Sequence, residues 1–346
     1  MWHMRIFRLK KNYFSAMYDK KNKGNDTGEK TIMKFYLAPL EGITGYIFRN
    51  AYETYFNRQV DAYFTPFIAP SINRCINPKE KRDILPEHNQ NIKTIPQILT
   101  NQAEVFIKTA RELQEFGYEE VNLNLGCPSG TVVSKHRGAG FLEDPEALDR
   151  FFEVVFEGCN SKISIKTRIG MDDPEEFYDL LTVYNRYPFS EVIIHPRVRE
   201  DYYKNKPNVE MFEKAVKNSP HSLCYNGDIF TVSDYKNITE LFPTLDKVML
   251  GRGLLRNPAL VRQIKGGAPL QKEECRAFHD RLVADYKEVM SGDKNVLFKM
   301  KELWSYLAYS FSNPEKYIKK IRKADRMCDY LAVVDGLFAE QELVRE

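Results

Sequence analysis

The chain has 346 residues, 43% of them hydrophobic and 29% charged, with a formal net charge of +3. These proportions exclude a disordered or collagen-like chain and are ordinary for a soluble globular protein, and a charge this small does not by itself argue for a nucleic-acid partner. No apolar run approaches the roughly 20 residues of a membrane span, and six cysteines (75, 127, 159, 224, 275 and 328) lie far apart with no C-x-x-C or paired-His spacing, which argues against a disulfide framework, a zinc site or an iron–sulfur cluster and fits a reducing cytoplasm.

Residues 1–32 are basic and polar, with Lys/Arg at 5, 8, 10, 11, 20, 21, 23 and 30 against acids at 19, 26 and 29. They lack the apolar core of a secretory signal. The stretch from Asp19 to Lys30 has no apolar residue to bury, so disorder is expected there. Met33 stands directly before the first strand-like run and is expected to be the natural start, with 1–32 an upstream extension.

From Phe35 onward, short apolar or β-branched segments alternate with longer amphipathic ones. Strands are expected at 35–38, 62–65, 94–99, 120–125, 162–167, 191–195, 222–226 and 247–251. Helical patterns lie between them at 103–116, 145–158, 174–187, 208–218 and 231–242. Strand and helix alternate at roughly 30 residues per unit, which is the α/β pattern of a (β/α)8 TIM barrel. A doubly wound open sheet is the alternative, but even spacing favours closure. After Gly266-Gly267-Ala268-Pro269 the strands stop. Helices are expected at 271–291, 295–310, 314–323 and 327–342, the third with Asn313 as a candidate N-cap. The expected division is therefore a barrel over 33–267 and a small helical bundle over 268–346.

Barrel active sites lie at the C-terminal ends of the strands. Here those ends read Ala38-Pro39-Leu40-Glu41-Gly42, then Gln97 within an apolar third strand, then Asn122 and Asn124 leading to Cys127. They continue with Lys166-Thr167-Arg168, His195-Pro196-Arg197, Asn226-Gly227-Asp228 and Gly251-Arg252-Gly253. Each has a bland reading: an interior amide, a core histidine, a plain turn. Seven of eight ends carrying polar or Gly-rich chemistry is the signal. A cysteine in a polar loop, with Lys135, His136 and Arg137 downstream, sits where reactive thiols sit and structural ones do not. The last two ends suit a phosphate, through close backbone approach and the Arg252 cation. Lys166 in a barrel mouth needs an anionic partner, which the N1–C2=O edge of a reduced flavin supplies, and Gln97 suits the ring's pyrimidine edge. FMN fits this set better than a sugar phosphate.

The sequence resembles the tRNA-dihydrouridine synthase family, FMN-dependent reductases of uridines in the D-loop region of tRNA. The motifs are A-P-L-E-G-I-T-G-Y-I-F-R (38–49), N-L-N-L-G-C-P (122–128) with G-A-G-F-L (138–142), K-T-R-I-G (166–170), H-P-R (195–197), N-G-D-I (226–229) and G-R-G-L-L-R-N-P (251–258). They occur in the family's order across about 220 residues. The resemblance implies that Pro39, Leu40, Gln97, Lys166, His195, Asn226, Gly227, Asp228, Gly251 and Arg252 surround FMN. It implies that NADPH is the reductant, that Cys127 protonates C5 of the uracil, and that Asn124, Lys135, Arg168 and Arg197 face the substrate. A cation near the carbonyls would stabilise enolate-like charge, and a thiol of pKa about 8.5 is mostly protonated at neutral pH. Two departures stand out. Leu40 replaces a Met common in the first motif, and Tyr202-Tyr203-Lys204-Asn205-Lys206-Pro207 replaces a Y-x-G segment, which changes the loop over the substrate.

The segment 294–326 carries nine Lys/Arg against three acids, interleaved with Trp304, Tyr306, Tyr309 and Tyr317. Alone it would be a solvated helix face. Beside an enzyme that must hold a polyanion it is expected to contact tRNA phosphates. A dihydroorotate dehydrogenase-like reductase of a free pyrimidine would leave this stretch unexplained. A non-catalytic RNA-binding barrel would predict decay at Cys127, Lys166 or His195, and all three are present. A cytoplasmic monomer with no metal is expected.

Overall fold

The computed structural model describes residues 32–344. The expected basic extension lies outside them except for Ile32. In chain order the elements of the barrel are β1 (Lys34–Leu37), α1 (Tyr46–Tyr55), β2 (Ala62–Phe64), α2 (Pro78–Ile84), β3 (Thr94–Ile95), β4 (Gln97–Ile98), α3 (Ala103–Glu115), β5 (Glu120–Leu125), α4 (Gly130–Val133), α5 (Pro145–Gly158) and β6 (Lys162–Thr167). They continue as α6 (Phe177–Tyr184), β7 (Glu191–Ile194), α7 (Val209–Asn218), β8 (Leu223–Tyr225), α8 (Val232–Leu241), β9 (Lys247–Leu250), α9 (Arg252–Arg256) and α10 (Leu260–Ile264). Four longer helical segments follow: α11 (Lys272–Val289), α12 (Asp293–Leu307), α13 (Glu315–Lys323) and α14 (Met327–Glu340).

All pairings between strands are parallel, in the order β3-β2-β1-β9-β8-β7-β6-β5-β4. The two ends of that order, β3 and β4, are consecutive in sequence, so the sheet closes on itself. The third expected strand is thus split at Pro96, which has no N–H to give a ladder. Its N-terminal half pairs with β2 and its C-terminal half with β5, while Pro96 still accepts a hydrogen bond from the Asn122 N–H.

Side chains alternate across each strand. Phe35 and Leu37 of β1, Ile163 and Ile165 of β6, and Val121, Leu123 and Leu125 of β5 pack outward under the helices. Tyr36, Ala38, Phe64, Ile193, Cys224 and Met249 fill the interior as a separate cluster. The same alternation sends Asn122, Asn124, Ser164 and Lys166 inward, because the register sets Asn124 opposite Lys166 and Asn122 opposite both Gln97 and Ser164. The polar residues of the strands therefore form a layer of their own at the mouth.

Helix starts follow capping chemistry. Asp144 caps α5 through the Ala147 N–H with Pro145 in the first turn, and Thr231 and Asp234 form a capping box on α8. Asn313 does not cap α13, where Pro314 holds the cap position without a side-chain bond. The C-terminal helices share their apolar core with the barrel: Phe278 of α11 meets Phe48 and Phe56 of the barrel edge-on at 5.7 and 5.5 Å. Burying such a ring contributes about 1.5–3 kcal/mol. Farther along, Lys299 of α12 donates to the Gly42 carbonyl in the loop after β1, at 2.6 Å. Among the described residues, no helix is long and apolar enough to cross a membrane, no group of side chains is arranged to hold a metal, and every cysteine is a free thiol.

Candidate active site

The mouth is built from a chain of buried amides. Ser164 Oγ accepts from Asn122 Nδ2 (3.0 Å), Asn122 Oδ1 accepts from Gln97 Nε2 (2.7 Å), and Gln97 Oε1 accepts from Asn124 Nδ2 (2.7 Å). Asn124 Oδ1 then accepts the backbone N–H groups of Gly126 and Cys127 at 3.0 and 2.9 Å. Those two N–H groups can only donate, so the direction of the chain is anchored at its end. Gln97 and Asn124 thus spend most of their hydrogen-bonding capacity inside the protein. Each keeps one amide N–H for a ligand.

Cys127 follows at the strand end, half-buried, with its carbonyl accepting from the Ala139 N–H. The turn back over it depends on two glycines. Gly138 has φ +57° and a Cβ there would meet the Cys127 Cβ and carbonyl oxygen at 3.0 Å; a Cβ on Gly140 would press on the Val133 backbone at 2.7 Å. Burial raises the thiol pKa above its ordinary value, outweighing the backbone of Ser129 and the cations of Arg168 and Lys166. The sulfur is therefore held as S–H. Lys135, at the tip of this loop, is exposed.

Lys166 forms no ion pair among the described residues. Desolvation, with the neighbouring Arg168, pushes its pKa down to about 8. His195 is buried, and its Nε2 lies 2.9 Å from Arg197 Nη1, so Nε2 accepts and the ring is neutral. Desolvation and the surrounding Arg168, Lys166 and Arg197 hold its pKa well below the usual range.

Arg168 and Arg197, expected to face the substrate, are each 1% exposed. Arg168 donates to the carbonyls of Gly126, Val198 and Tyr202 at 2.8–2.9 Å, tying the cysteine loop to the loop after β7. Arg197 donates to Asn205 O (2.6 Å) and to both carboxylate oxygens of Asp228. Both arginines clamp the departing 198–206 loop. Asp228 is the shared counter-ion, since Arg252 also pairs with it. That sharing was not visible in the sequence.

Ala38, Pro39, Leu40, Lys166, His195, Asn226–Phe230 and Gly251–Gly253 line one cavity of about 60 Å³, with Tyr203 as its outer wall. Tyr203 stacks on His195 (5.9 Å between ring centroids) and on the Arg252 guanidinium (4.3 Å). Nine of the ten residues expected around the flavin, plus Ala38 and Ile229, are thus close together; Asn226 is fixed by Nδ2 to the Met249 carbonyl (2.8 Å). Gln97 stands outside this lining. A Cβ at Gly253 would overlap the Ile229 carbonyl oxygen, and one at Gly251 would touch Ala38 and Leu40. The residues suit a flavin phosphate: a glycine cradle, the Arg252 cation, and a desolvated ammonium without a carboxylate. The cavity is smaller than the roughly 300 Å³ and above of sites for drug-sized ligands, and Tyr203, 50% exposed, bounds it on the outside.

On the C-terminal helices, Lys319, Lys320, Arg322 and Lys323 of α13 are exposed and form no ion pair among the described residues, while Tyr317 and Ile321 turn inward. Of the interleaved aromatics, Trp304 and Tyr317 are core residues, and Tyr309 is 56% exposed. Trp304 donates to Tyr330 Oη at 2.8 Å.

The family model for dihydrouridine synthase (Dus) matches residues 36–339. The tRNA-dihydrouridine(16) synthase of Pseudomonas putida is 27% identical over 72% of this chain and 79% of that one. A probable tRNA-dihydrouridine synthase of Staphylococcus aureus strain COL is 30% identical over 65% of this chain and 69% of its own. The tRNA-dihydrouridine(16) synthase of Vibrio parahaemolyticus is 24% identical over 84% and 92%. Among solved structures, histamine dehydrogenase from Rhizobium aligns with TM-score 0.53 at 10% identity, over 90% of this chain and 63% of that one. The old yellow enzyme of Trypanosoma cruzi aligns with TM-score 0.50 at 11% identity, over 75% and 95%. Likeness at that identity speaks to the barrel fold alone.

Proposed function

The chain belongs to the dihydrouridine synthase family, and from that premise we propose that it reduces uridines of tRNA to 5,6-dihydrouridine, using FMN with NADPH as reductant. The observation that carries the reading is Cys127, a protonated thiol presented at the barrel mouth by Asn124, on strands whose register sets Asn124 beside the unpaired ammonium of Lys166.

Bound FMN would supply the hydride for C6 of the uracil. Gly251, Arg252, Asn226 and Gly227 would hold its phosphate end, and Lys166 its anionic pyrimidine edge. Cys127 Sγ–H gives its proton to C5, and the thiolate left behind is stabilised by the Lys166 and Arg168 cations. His195, neutral, offers an N–H donor from Nδ1. Asn124 keeps an N–H for a uracil carbonyl, and Lys135 contacts the RNA from the loop tip. Arg168 and Arg197 act through the loops they clamp, with Arg168 Nη donors left over for substrate. The helical part, 268–346, holds the tRNA through the basic face of α13, and the target uridine must leave its stack to reach the mouth.

The test is mass-mapping of tRNA lacking dihydrouridine after incubation with the purified protein, FMN and NADPH, beside Cys127→Ala. A gain of two hydrogens at one D-loop uridine, absent with the variant, is expected. Flavin-dependent NADPH oxidation that leaves every tRNA unchanged would sink the reading and turn attention to free pyrimidines.

A further inference from the structure

Five side chains from four segments form one alternating column: Tyr203, Arg252, Phe230, Arg256 and Tyr309. The Arg252 guanidinium lies 4.3 Å from the Tyr203 centroid and 5.3 Å from that of Phe230. The Arg256 guanidinium lies 4.2 Å from Phe230 and 4.3 Å from Tyr309. The two arginines are four apart on α9 and so share a face. The column runs from the barrel mouth to the turn at 308–310 that follows α12, and its outer rings, Tyr203 and Tyr309, are 50% and 56% exposed.

The two cations differ in what completes them. Arg252 is paired with Asp228. Arg256 makes no ion pair and no side-chain hydrogen bond among the described residues, and its Nε is buried without a partner. Burial, aided by the nearby Arg252, lowers its pKa from the usual guanidinium value. A part-buried cation with all its donors unspent is costly unless an anion completes it. The guanidinium lies between the Phe230 and Tyr309 rings; its two Nη groups are the donors suited to bidentate phosphate binding, and the exposed Tyr309 ring offers a π-face to a base.

We propose that Arg256 binds a backbone phosphate of the RNA substrate next to the nucleotide entering the barrel mouth, with Tyr309 stacking an adjacent base. This rests on the tRNA reading above and gives it a specific contact outside the α13 basic face. A cofactor phosphate shares the same chemistry, so the experiment separates the two sources.

The full-length, FMN-loaded protein and its Arg256→Gln, Arg256→Lys and Tyr309→Leu variants would be titrated with tRNA between 50 and 200 mM salt, with FMN affinity and thermal melting measured in parallel. For Arg256→Gln, about tenfold weaker tRNA binding is expected, together with a salt slope shallower by about 0.7–0.9. Arg256→Lys should keep the slope but lose part of the affinity, and Tyr309→Leu should lose affinity at unchanged slope. FMN affinity should not follow these losses. Unchanged tRNA affinity and slope in folded Arg256→Gln would overturn the assignment, as would a loss confined to FMN. Should Arg256→Gln fail to fold, Arg256→Lys with undiminished tRNA affinity would overturn it. Wild-type protein that binds FMN but no tRNA would instead fail the tRNA reading, and this contact with it.

Discussion

Asn124 presents Cys127 by its backbone: one carboxamide oxygen accepts the Cys127 N–H at 2.9 Å and the Gly126 N–H at 3.0 Å. One N–H of the same side chain's amide goes to Gln97. Replacing Asn124 by Leu would leave two strand-end N–H groups and the Gln97 oxygen without partners. Each buried polar group left unmade costs about 1–3 kcal/mol. Asn124→Leu should therefore lower the melting temperature and slow turnover more than tenfold, and a melt alongside single-turnover kinetics checks both. Full activity would show that the turn holds itself.

Under the proposed function Cys127 acts as the acid. Burial raises its pKa, so the thiol stays protonated through neutral pH and beyond the ordinary thiol range. The rate of the chemical step should be level across pH 7–8 and fall only at higher pH, as the proton is lost. Cys127→Ala should reduce turnover by about 10²–10⁴-fold while FMN affinity is retained. Single-turnover rates against pH, with flavin fluorescence for binding, decide the matter. A rate that rises with pH through this range would assign the thiolate instead.

Lys166 predicts a stability that depends on pH. Its folded pKa, about 8, lies below that of an unfolded lysine, so between the two the unfolded state binds more protons. Its contribution to stability of the flavin-free protein therefore rises as pH increases from 8 towards 10.4, and below 8 the buried charge is a net cost. Lys166→Met should stabilise the flavin-free protein at pH 7, flatten this pH dependence and weaken FMN binding. Denaturant midpoints at pH 7 and 9 give the first two; a flavin titration gives the third.

Gly253 packs where a Cβ would overlap the Ile229 carbonyl oxygen. Its backbone is ordinary, so close approach and not φ demands glycine here. Gly253→Ala should push the 251–256 turn away from the 226–229 loop at a cost of about 1–3 kcal/mol and loosen the cradle for phosphate. Reduced FMN affinity with a lowered melting temperature is the expected pair of observations.

The barrel was readable because its signals are local. Strand and helix periodicities repeat in order, and the α5 start at Asp144-Pro145 stands within a residue of where capping chemistry predicts it. The split of the third strand is a local matter too, since Pro96 is visible, but only closure shows that its two halves serve different neighbours. Asn313 shows the reverse error: the residue type suits an N-cap, yet the chain enters α13 through Pro314 without using it.

The sequence by itself determined which chemical groups stand at the strand ends, because strand order and the C-terminal location of barrel sites convert position in the chain into position at the mouth. It could not determine what each group does with its hydrogen bonds. Gln97, Asn122, Asn124 and Ser164 become one directed chain only through parallel register between β4, β5 and β6. Arg168 and Arg197 become loop clamps, and Asp228 a counter-ion for two arginines, only because segments up to 34 residues apart in sequence meet there. The Arg256 column joins residues 203, 230, 252, 256 and 309 and has no local signature beyond the four-residue spacing on α9. Such donors and acceptors are paired by long-range packing, and long-range packing is what the tertiary structure decides.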